Sequence, residues 1–515
     1  MPAPPTDRAP DLPTGTFVPV TVAEGLRTAA QRDPGKVALS ESGRDLSFDQ
    51  LLQRVDRVSN GAHFGLGLKP GDRAALMAPN CLEFIEIVCG LAEAGVPAAM
   101  VNPRLTAPEV EYICDDSGAR VLFVHASLEP VARQAKLKSV ERIIVVGVDY
   151  DDWLAQWPPE RPPVRPREWD VLMLPYTAGT TGNPKGVMLS HRSRTLTFFG
   201  MAAEYGCYSP EDRSLAIAPL YHGAGFAFAM APVFFGGFCE ILPSFDPEKV
   251  LVALSALEIT NTFMVPTHFN ALFALGEGVL GQYPTPCLRT IISNAAPLPD
   301  PTKRRIVDHF GEGVLHETYG STEGGIVTNL RPADQLQKTN CVGQPFPCTQ
   351  VRLLDEEGND VEPGQIGELY SRSPYLFNGY WQMPEATEDA LRGDWFSAGD
   401  MAQQDDEGYI YLIDRKKDMV ITGGVNVYPR EIEAVLYQHP AIAETAVVGV
   451  PDEYWGEAVT AFVVVKPDQE VSEDQVTAFC AQSLAKFKVP KSVRFIDALP
   501  RNAAGKVLHR ELRGA

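Results

Sequence analysis

Between about residues 20 and 400 the chain alternates helix-spaced with strand-like segments, and no other feature narrows its folds as far. Residues 21–32 carry apolar side chains at helical spacing. After the turn Pro70-Gly71-Asp72, the run Arg73-Ala74-Ala75-Leu76-Met77 reads as a short strand, and a helix is expected over 81–94. Residues 120–124 and 142–146 are apolar runs short enough for two further buried strands. Such alternation predicts an α/β protein with largely parallel sheets. At 515 residues the chain is too long for one core, so two or more domains are expected.

The pattern changes beyond about residue 415. Pro429 stands where a helix's first turn would be, and Glu431 and Glu433 suit its positive end. Strands are expected over 445–450 and 459–465, and Ser472 with Gln475 forms a capping box for a helix reaching about residue 484. The last hundred or so residues therefore make a small α+β unit.

A formal charge of −21 argues against a nucleic-acid partner, which would need clustered Lys and Arg. It leaves room for a small anion, because a few cations and backbone donors suffice for one. The nine cysteines are scattered, with no C-x-x-C pair and no His at metal spacing, as in a cytosolic protein with reduced, mostly buried thiols. Residues 1–19 open with a Pro-rich polar stretch lacking the apolar core of a signal peptide, and are expected to be a disordered tail. Residues 215–239 contain no Asp, Glu, Lys or Arg and are long enough to span a bilayer. Pro219, His222, Gly223, Gly225, Pro232, Gly236 and Gly237 interrupt them, so a buried loop and core helix are expected instead of a transmembrane segment.

Residues 177–186, TAGTTGNPKG, combine three Gly, three Thr and one Lys without an acid. A Walker A loop would run from its Lys-Ser/Thr pair straight into a helix. Here Lys185 follows Pro184 and precedes Gly186, and Val187-Met188-Leu189 reads as a short strand. The segment is either a different phosphate loop or an ordinary hairpin turn. It keeps company with YGSTEGG (319–325), PLYHGAG (219–225), SNAAPLP (293–299), GELYSRSPYLFNGYW (367–381), FSAGD (396–400), DRKKDMVITGG (414–424), YPREIE (428–433) and LPRNAAGKV (499–507).

In order and spacing these stretches resemble the AMP-forming acyl-CoA synthetase, or adenylate-forming, superfamily over nearly the whole chain. The resemblance implies a large N-terminal adenylating domain over 20–413, a hinge over 414–418 and a small mobile domain over 419–515. It also implies that a carboxylate attacks the α-phosphorus of ATP, releasing pyrophosphate, and that coenzyme A then displaces AMP. Thr177, Ala178, Gly179, Thr180, Thr181, Gly182 and Lys185 would cradle the triphosphate. Glu323, with the Thr177 hydroxyl nearby, would hold Mg²⁺, a hard ion that keeps waters and takes oxygen ligands. Tyr319 would stack on adenine, unless it is a core tyrosine, amid Gly320, Ser321, Thr322, Ala295, Ala296 and Pro297. Asp400 matches the ribose carboxylate, and Arg415 should touch the nucleotide. Lys506 is the expected adenylation lysine, Lys417 the pivot, and Gly423 and Gly424 line the pantetheine passage or form a simple turn.

Tyr221, His222, Gly223, Val265, Asn294 and Ala295 map to the acyl pocket. His222 would contact the carboxylate or gate the pocket, its alternative being a satisfied core histidine. The surroundings are small or apolar, so an amino-acid ammonium would be buried unpaired, at a cost. A medium- or long-chain fatty acid is the first expectation for the substrate. An aryl acid, or loading of a carrier protein from the acyl-adenylate, is the alternative, and a homodimer is compatible with the sequence. Several positions depart from the family pattern: Ala178 replaces a Ser or Thr, Asn294-Ala295 replaces glycines, Ser321 a Met, and Ser397-Ala398 a His-Thr pair.

Overall fold

A computed structural model describes residues 19–177, 183–422, 425–452, 454–467, 469–501 and 507–513. The chain packs as two units, one of residues up to 339 with 345–349 and 373–389, the other of 340–344, 350–372 and the residues from 390 onward. Residues 414–418 lie inside the second unit.

Two sheets organise the first unit. In one, parallel strands run in the order Val37–Glu41, Phe238–Ile241, Arg213–Ala216, Asn261–Met264, Thr290–Ser293, Leu315–Ser321. Arg44–Ser47 and Gly325–Leu330 pair antiparallel with the outermost two. In the other, the parallel order is Arg142–Val146, Ala119–His125, Arg73–Met77, Ala98–Met100, Val171–Thr177. The expected parallel α/β architecture is thus present. The helix Val22–Arg32 is capped by Thr21, whose hydroxyl accepts from the Glu24 N–H.

The helix Leu82–Glu93 is buried at every position, including its three glutamates. A buried carboxylate needs a partner. Glu86 meets Arg54, and Glu93 shares the Arg27 guanidinium with Asp56 at 2.9 Å. The uncharged stretch 215–239 resolves into the end of a strand, a loop, the core helix Gly223–Phe235 and the start of the next strand. Eleven of the helix's thirteen residues are buried, and each large apolar side chain among them contributes roughly 1.5–3 kcal/mol. Among the described residues no helix is long and apolar enough to cross a membrane.

Two expectations need adjustment. The strand–helix alternation stops well before residue 400: Gln350–Leu354, Ile366–Arg372, Asp400–Gln404 and Ile410–Arg415 pair antiparallel in succession. Tight turns such as Asp355 to Asn359, with Gly358 at φ +90, replace the helical crossovers that parallel strands would need. Val187-Met188-Leu189 is not one strand. Lys185–Gly186 and Leu189–Ser190 pair with Val171–Thr177, while Met188 between them donates to the Gly379 carbonyl and accepts from the Asn378 N–H.

The rest of the second unit has the expected α+β pattern. Ile442–Asp452 and Gly456–Val465 form a long antiparallel pair, with Ser492–Phe495 parallel to the latter. Pro429 opens the helix Pro429–Leu436, and the Ser472–Gln475 capping box starts Glu473–Ala481.

Candidate functional site

The register of the first sheet sets four chain segments along one edge. Ala216 pairs with Phe263, Met264 with Ser293, and Ser293 with Glu317, so the parallel strands end together. The 217–222 loop, Val265 and the 294–299 loop leave from that edge, and Leu315–Ser321 carries Tyr319 past it. Open α/β sheets bind ligands beyond the carboxyl ends of their strands. Gly223 marks where the second sheet arrives: a Cβ built there would lie 3.6 Å from Leu189, 3.7 Å from Thr322 and 4.0 Å from Pro175. Gly225 tolerates no side chain at all, since its Cβ would stand 2.0 Å from the Pro219 carbonyl oxygen. The loop is stapled by buried Asn80, which donates to the Ala218 and Leu242 carbonyls and accepts from the Leu220 N–H at 2.8 Å. No motif in the sequence points to Asn80.

Tyr221 is buried, with its ring centroid 4.3 Å from that of His222. Solvent reaches the His222 ring, yet desolvation by the protein packed around it, and then the Arg104 cation, lower its pKa to about 4. It is neutral at pH 7. Val265 precedes the helix Pro266–Ala274 and is half-buried. Asn294 is half-buried, while Ala295, Ala296 and Pro297 are exposed. That loop is tied down from below: Glu317 accepts from the Leu298 N–H and pairs with Lys303 at 2.5 Å, both acid and base buried. Burial raises the Glu317 pKa against the pull of Lys303.

Ala295 has φ +76, the left-handed region that favours glycine. The backbone therefore keeps a conformation suited to the glycine that the resemblance implies at this position, and alanine bears the strain. Ala295→Gly is expected to raise stability by up to about 1 kcal/mol, read as a higher denaturation midpoint. No gain would mean that the neighbouring Asn294 side chain, which accepts from the Ala295 N–H, offsets the strain.

In the second sheet, Thr177 and Lys185 face each other directly as an antiparallel pair. The stem is clamped from outside: the Tyr112 hydroxyl donates to the Pro184 carbonyl, Tyr176 to the Asp116 carboxylate, and the Trp381 indole to the Asp116 carbonyl. Ser321 accepts from the Gly324 N–H at 2.8 Å and so closes the turn that presents Thr322 and Glu323. Gly320 sits where the register with Gly325–Leu330 slips, and a Cβ there would be 2.1 Å from the Gly325 carbonyl oxygen. Glu323 Oε1 accepts a 2.9 Å bond from the Tyr380 hydroxyl and lies 3.5 Å from the Thr177 hydroxyl. The Lys185 ammonium rests 4.8 Å from the Tyr380 ring centroid. Thr177, Lys185, Glu323 and Tyr380 are thus brought together, all half-buried. Among the described residues no group of three His, Cys, Asp or Glu is placed to cage a metal. One carboxylate beside one hydroxyl fits Mg²⁺ arriving on phosphates, which brings most of its own oxygen ligands.

In the second unit, buried Asp400 and Arg415 are strand partners joined by an ion pair at 3.1 Å. Asp414 accepts from the Arg430 N–H at the start of the helix Pro429–Leu436. Asp418 pairs with Arg513, which also donates to the Lys417 carbonyl at 3.2 Å. Burial lowers the Lys417 pKa, opposed by Asp418. The expected positions Ala178, Gly179, Thr180, Thr181, Gly182, Gly423, Gly424 and Lys506 lie outside the described residues. Their flanks share one arrangement: Thr177 pairs with Lys185, Thr422 with Val425, and Arg501 with Val507.

Residues 26–381 match the AMP-binding enzyme family, and residues 431–506 match the AMP-binding enzyme C-terminal domain. A feruloyl-CoA synthase from Amycolatopsis sp is 37% identical over 493 residues, 94% of this chain and 96% of its own. The long-chain-fatty-acid–CoA ligase FadD13 of Mycobacterium tuberculosis is 36% identical over 495 residues, 95% of this chain and 97% of its own. The crystal structure of ATP-bound MatB from Rhodopseudomonas palustris superimposes with a TM-score of 0.87 at 32% identity, over 96% of this chain and 98% of that one.

Proposed function

The chain belongs to the AMP-binding enzyme family of AMP-forming acid–thiol ligases, and from that premise we propose that it joins an aryl carboxylic acid to coenzyme A through an acyl-adenylate. The observation that carries the choice of acid is the pair Phe228 and Phe263. Their buried rings lie flat on each other, centroids 4.1 Å apart and 3° from parallel. Phe263 precedes the last residue of its strand, and Phe228 follows the first turn of the helix that begins at Gly223. We take this pair as the floor of the proposed acyl pocket, where rings so close to the sheet edge suit a compact, flat acid better than an extended chain. The feruloyl-CoA synthase relative, 37% identical, supports this reading and the long-chain-fatty-acid–CoA ligase, 36% identical, supports the fatty acid expected first, so the choice between them rests on the ring pair.

The first step brings two anions together, so the demand is for positive charge and oriented donors, with no protein nucleophile. Thr177, Thr180, Thr181 and Lys185 are proposed to hold the β- and γ-phosphates, where Gly179 and Gly182 admit backbone N–H groups. Glu323, beside Thr177, is proposed to hold Mg²⁺, which when bound neutralises triphosphate charge. By the resemblance, Asp400 is proposed to accept from the ribose hydroxyls, Arg415 to contact the nucleotide, Tyr319 to stack on adenine, and Lys506 to offset the charge of carboxylate and α-phosphate. Neutral His222 borders the acid. The carboxylate oxygen forms the bond to phosphorus as pyrophosphate leaves. The thiol sulfur then bonds the acyl carbon, losing its proton, as AMP leaves.

Pyrophosphate and AMP release should be followed across hydroxycinnamic, benzoic and straight-chain acids, with and without coenzyme A. Aryl acids are expected to give the highest kcat/KM, with sustained turnover only when the thiol is present. Preference for a straight chain would overturn the aryl assignment. Turnover that a carrier protein supports and coenzyme A does not would overturn the thiol.

A further inference from the structure

The residue that joins the two charged partners of the proposed triphosphate site is Tyr380. Its hydroxyl donates to Glu323 Oε1 at 2.9 Å, and the face of the same ring lies 4.8 Å from the Lys185 ammonium. Lys185 and Glu323 make no ion pair with each other, although both contact this one side chain. Both available interactions are instead made through the phenol: a cation–π contact for the lysine and a charge-assisted hydrogen bond for the acid.

We propose that Tyr380 is a positioning residue that keeps Lys185 and Glu323 apart, leaving the cation for phosphate and Glu323 Oε2 for a phosphate-borne divalent ion. This rests on the reading of Lys185 and Glu323 as the triphosphate and metal residues.

Three further features suit Tyr380 to the task. Its backbone is fixed on both sides, by the pairing of Val187 with Tyr380 and by the 2.9 Å bond from the Tyr380 N–H to the Thr387 hydroxyl. Its ring packs edge-on to Phe377, whose N–H donates to the Glu323 backbone carbonyl at 2.9 Å. The backbone of Glu323 and its side chain are therefore held from the same short stretch, 377–380. With Oε1 taken by Tyr380 and the Thr177 hydroxyl nearby, Oε2 has no hydrogen-bond partner among the described residues.

Two variants separate the functions of the ring. Tyr380→Phe keeps the face over Lys185 and removes the hydroxyl, whereas Tyr380→Leu removes both. ATP binding should be titrated calorimetrically in excess Mg²⁺ and again in EDTA, so that the readout does not depend on turnover. Tyr380→Phe is expected to weaken Mg²⁺–ATP binding about tenfold, as for a hydrogen bond to a charged group, while changing metal-free ATP binding less than twofold. Tyr380→Leu is expected to weaken both. Equal weakening of the two forms by Tyr380→Phe, or no weakening of either, overturns the proposal. A wild-type chain that binds no ATP under either condition overturns the underlying reading of the site as well.

Discussion

Lys506→Ala is expected to slow acyl-adenylate formation by roughly 10²–10³-fold while sparing the conversion of supplied acyl-adenylate to thioester. The asymmetry follows from charge. In the first step a carboxylate approaches an α-phosphate that already bears negative charge, and an ammonium between them stabilises the transition state more than the ground state. In the second step the phosphate is a leaving group already bonded to the acyl carbon, and the mutual repulsion is gone. The substitution should not disturb folding. Arg501 and Val507 pair on either side of 502–506, and the Leu508 N–H donates to the Pro500 carbonyl. A core of Ala446, Val448, Phe462, Leu499 and Leu512 packs against Val507. Pyrophosphate exchange reports the first half-reaction, and a single turnover from synthetic acyl-adenylate reports the second. Equal losses in the two would refute the assignment of Lys506.

How much of this was legible in the sequence depends on how local each signal is. Arg73–Met77 was readable to the residue, because a buried parallel strand is a short apolar run bounded by a turn. The Ser472–Gln475 capping box was equally readable, since both partners fall within one helical turn. Glu323 was singled out by the resemblance of YGSTEGG to a family motif, and Gly320 and Ser321, which shape its turn, belong to that same short stretch. Its partner was not legible: Tyr380 is 57 residues away, and its stretch GYW carries no charge to suggest a contact with an acid and a lysine. Asn80 is more distant still, 140 residues from the Leu220 N–H it accepts. The misread strand over 187–189 has the same origin. Apolar character shows that a segment is buried, but not that it exchanges its hydrogen-bonding partner at Met188.

Arg194→Met is expected to stabilise the first unit by about 2–3 kcal/mol, against the usual sign of a core substitution. Arg194 lies on the helix His191–Tyr205, is 4% exposed, and has neighbours His191, Ser193, Thr195, Thr197 and Phe198 buried with it. Among the described residues its Nε and Nη2 have no hydrogen-bond partner, and burial is the one influence on its charge. Burial alone pulls its pKa down to about 10. Arg27 shows what a buried guanidinium requires, being matched by both Asp56 and Glu93. Methionine has a comparable stem and enough flexibility to fill the space without leaving a void. Because the native pKa is depressed, the destabilising charge is fully present below about pH 10 and is relieved as pH rises above it. The gap between variant and wild type, measured by urea denaturation, should therefore narrow over that range. Arg27→Met is the opposing case: it removes the hydrogen-bonded partner of buried Asp56 and Glu93, leaving Glu93 only the 3.8 Å pair with Arg161, and should cost about 3–5 kcal/mol. An Arg194→Met chain less stable than wild type at neutral pH would mean that the guanidinium has a partner in solution, and the argument from its isolation would fail.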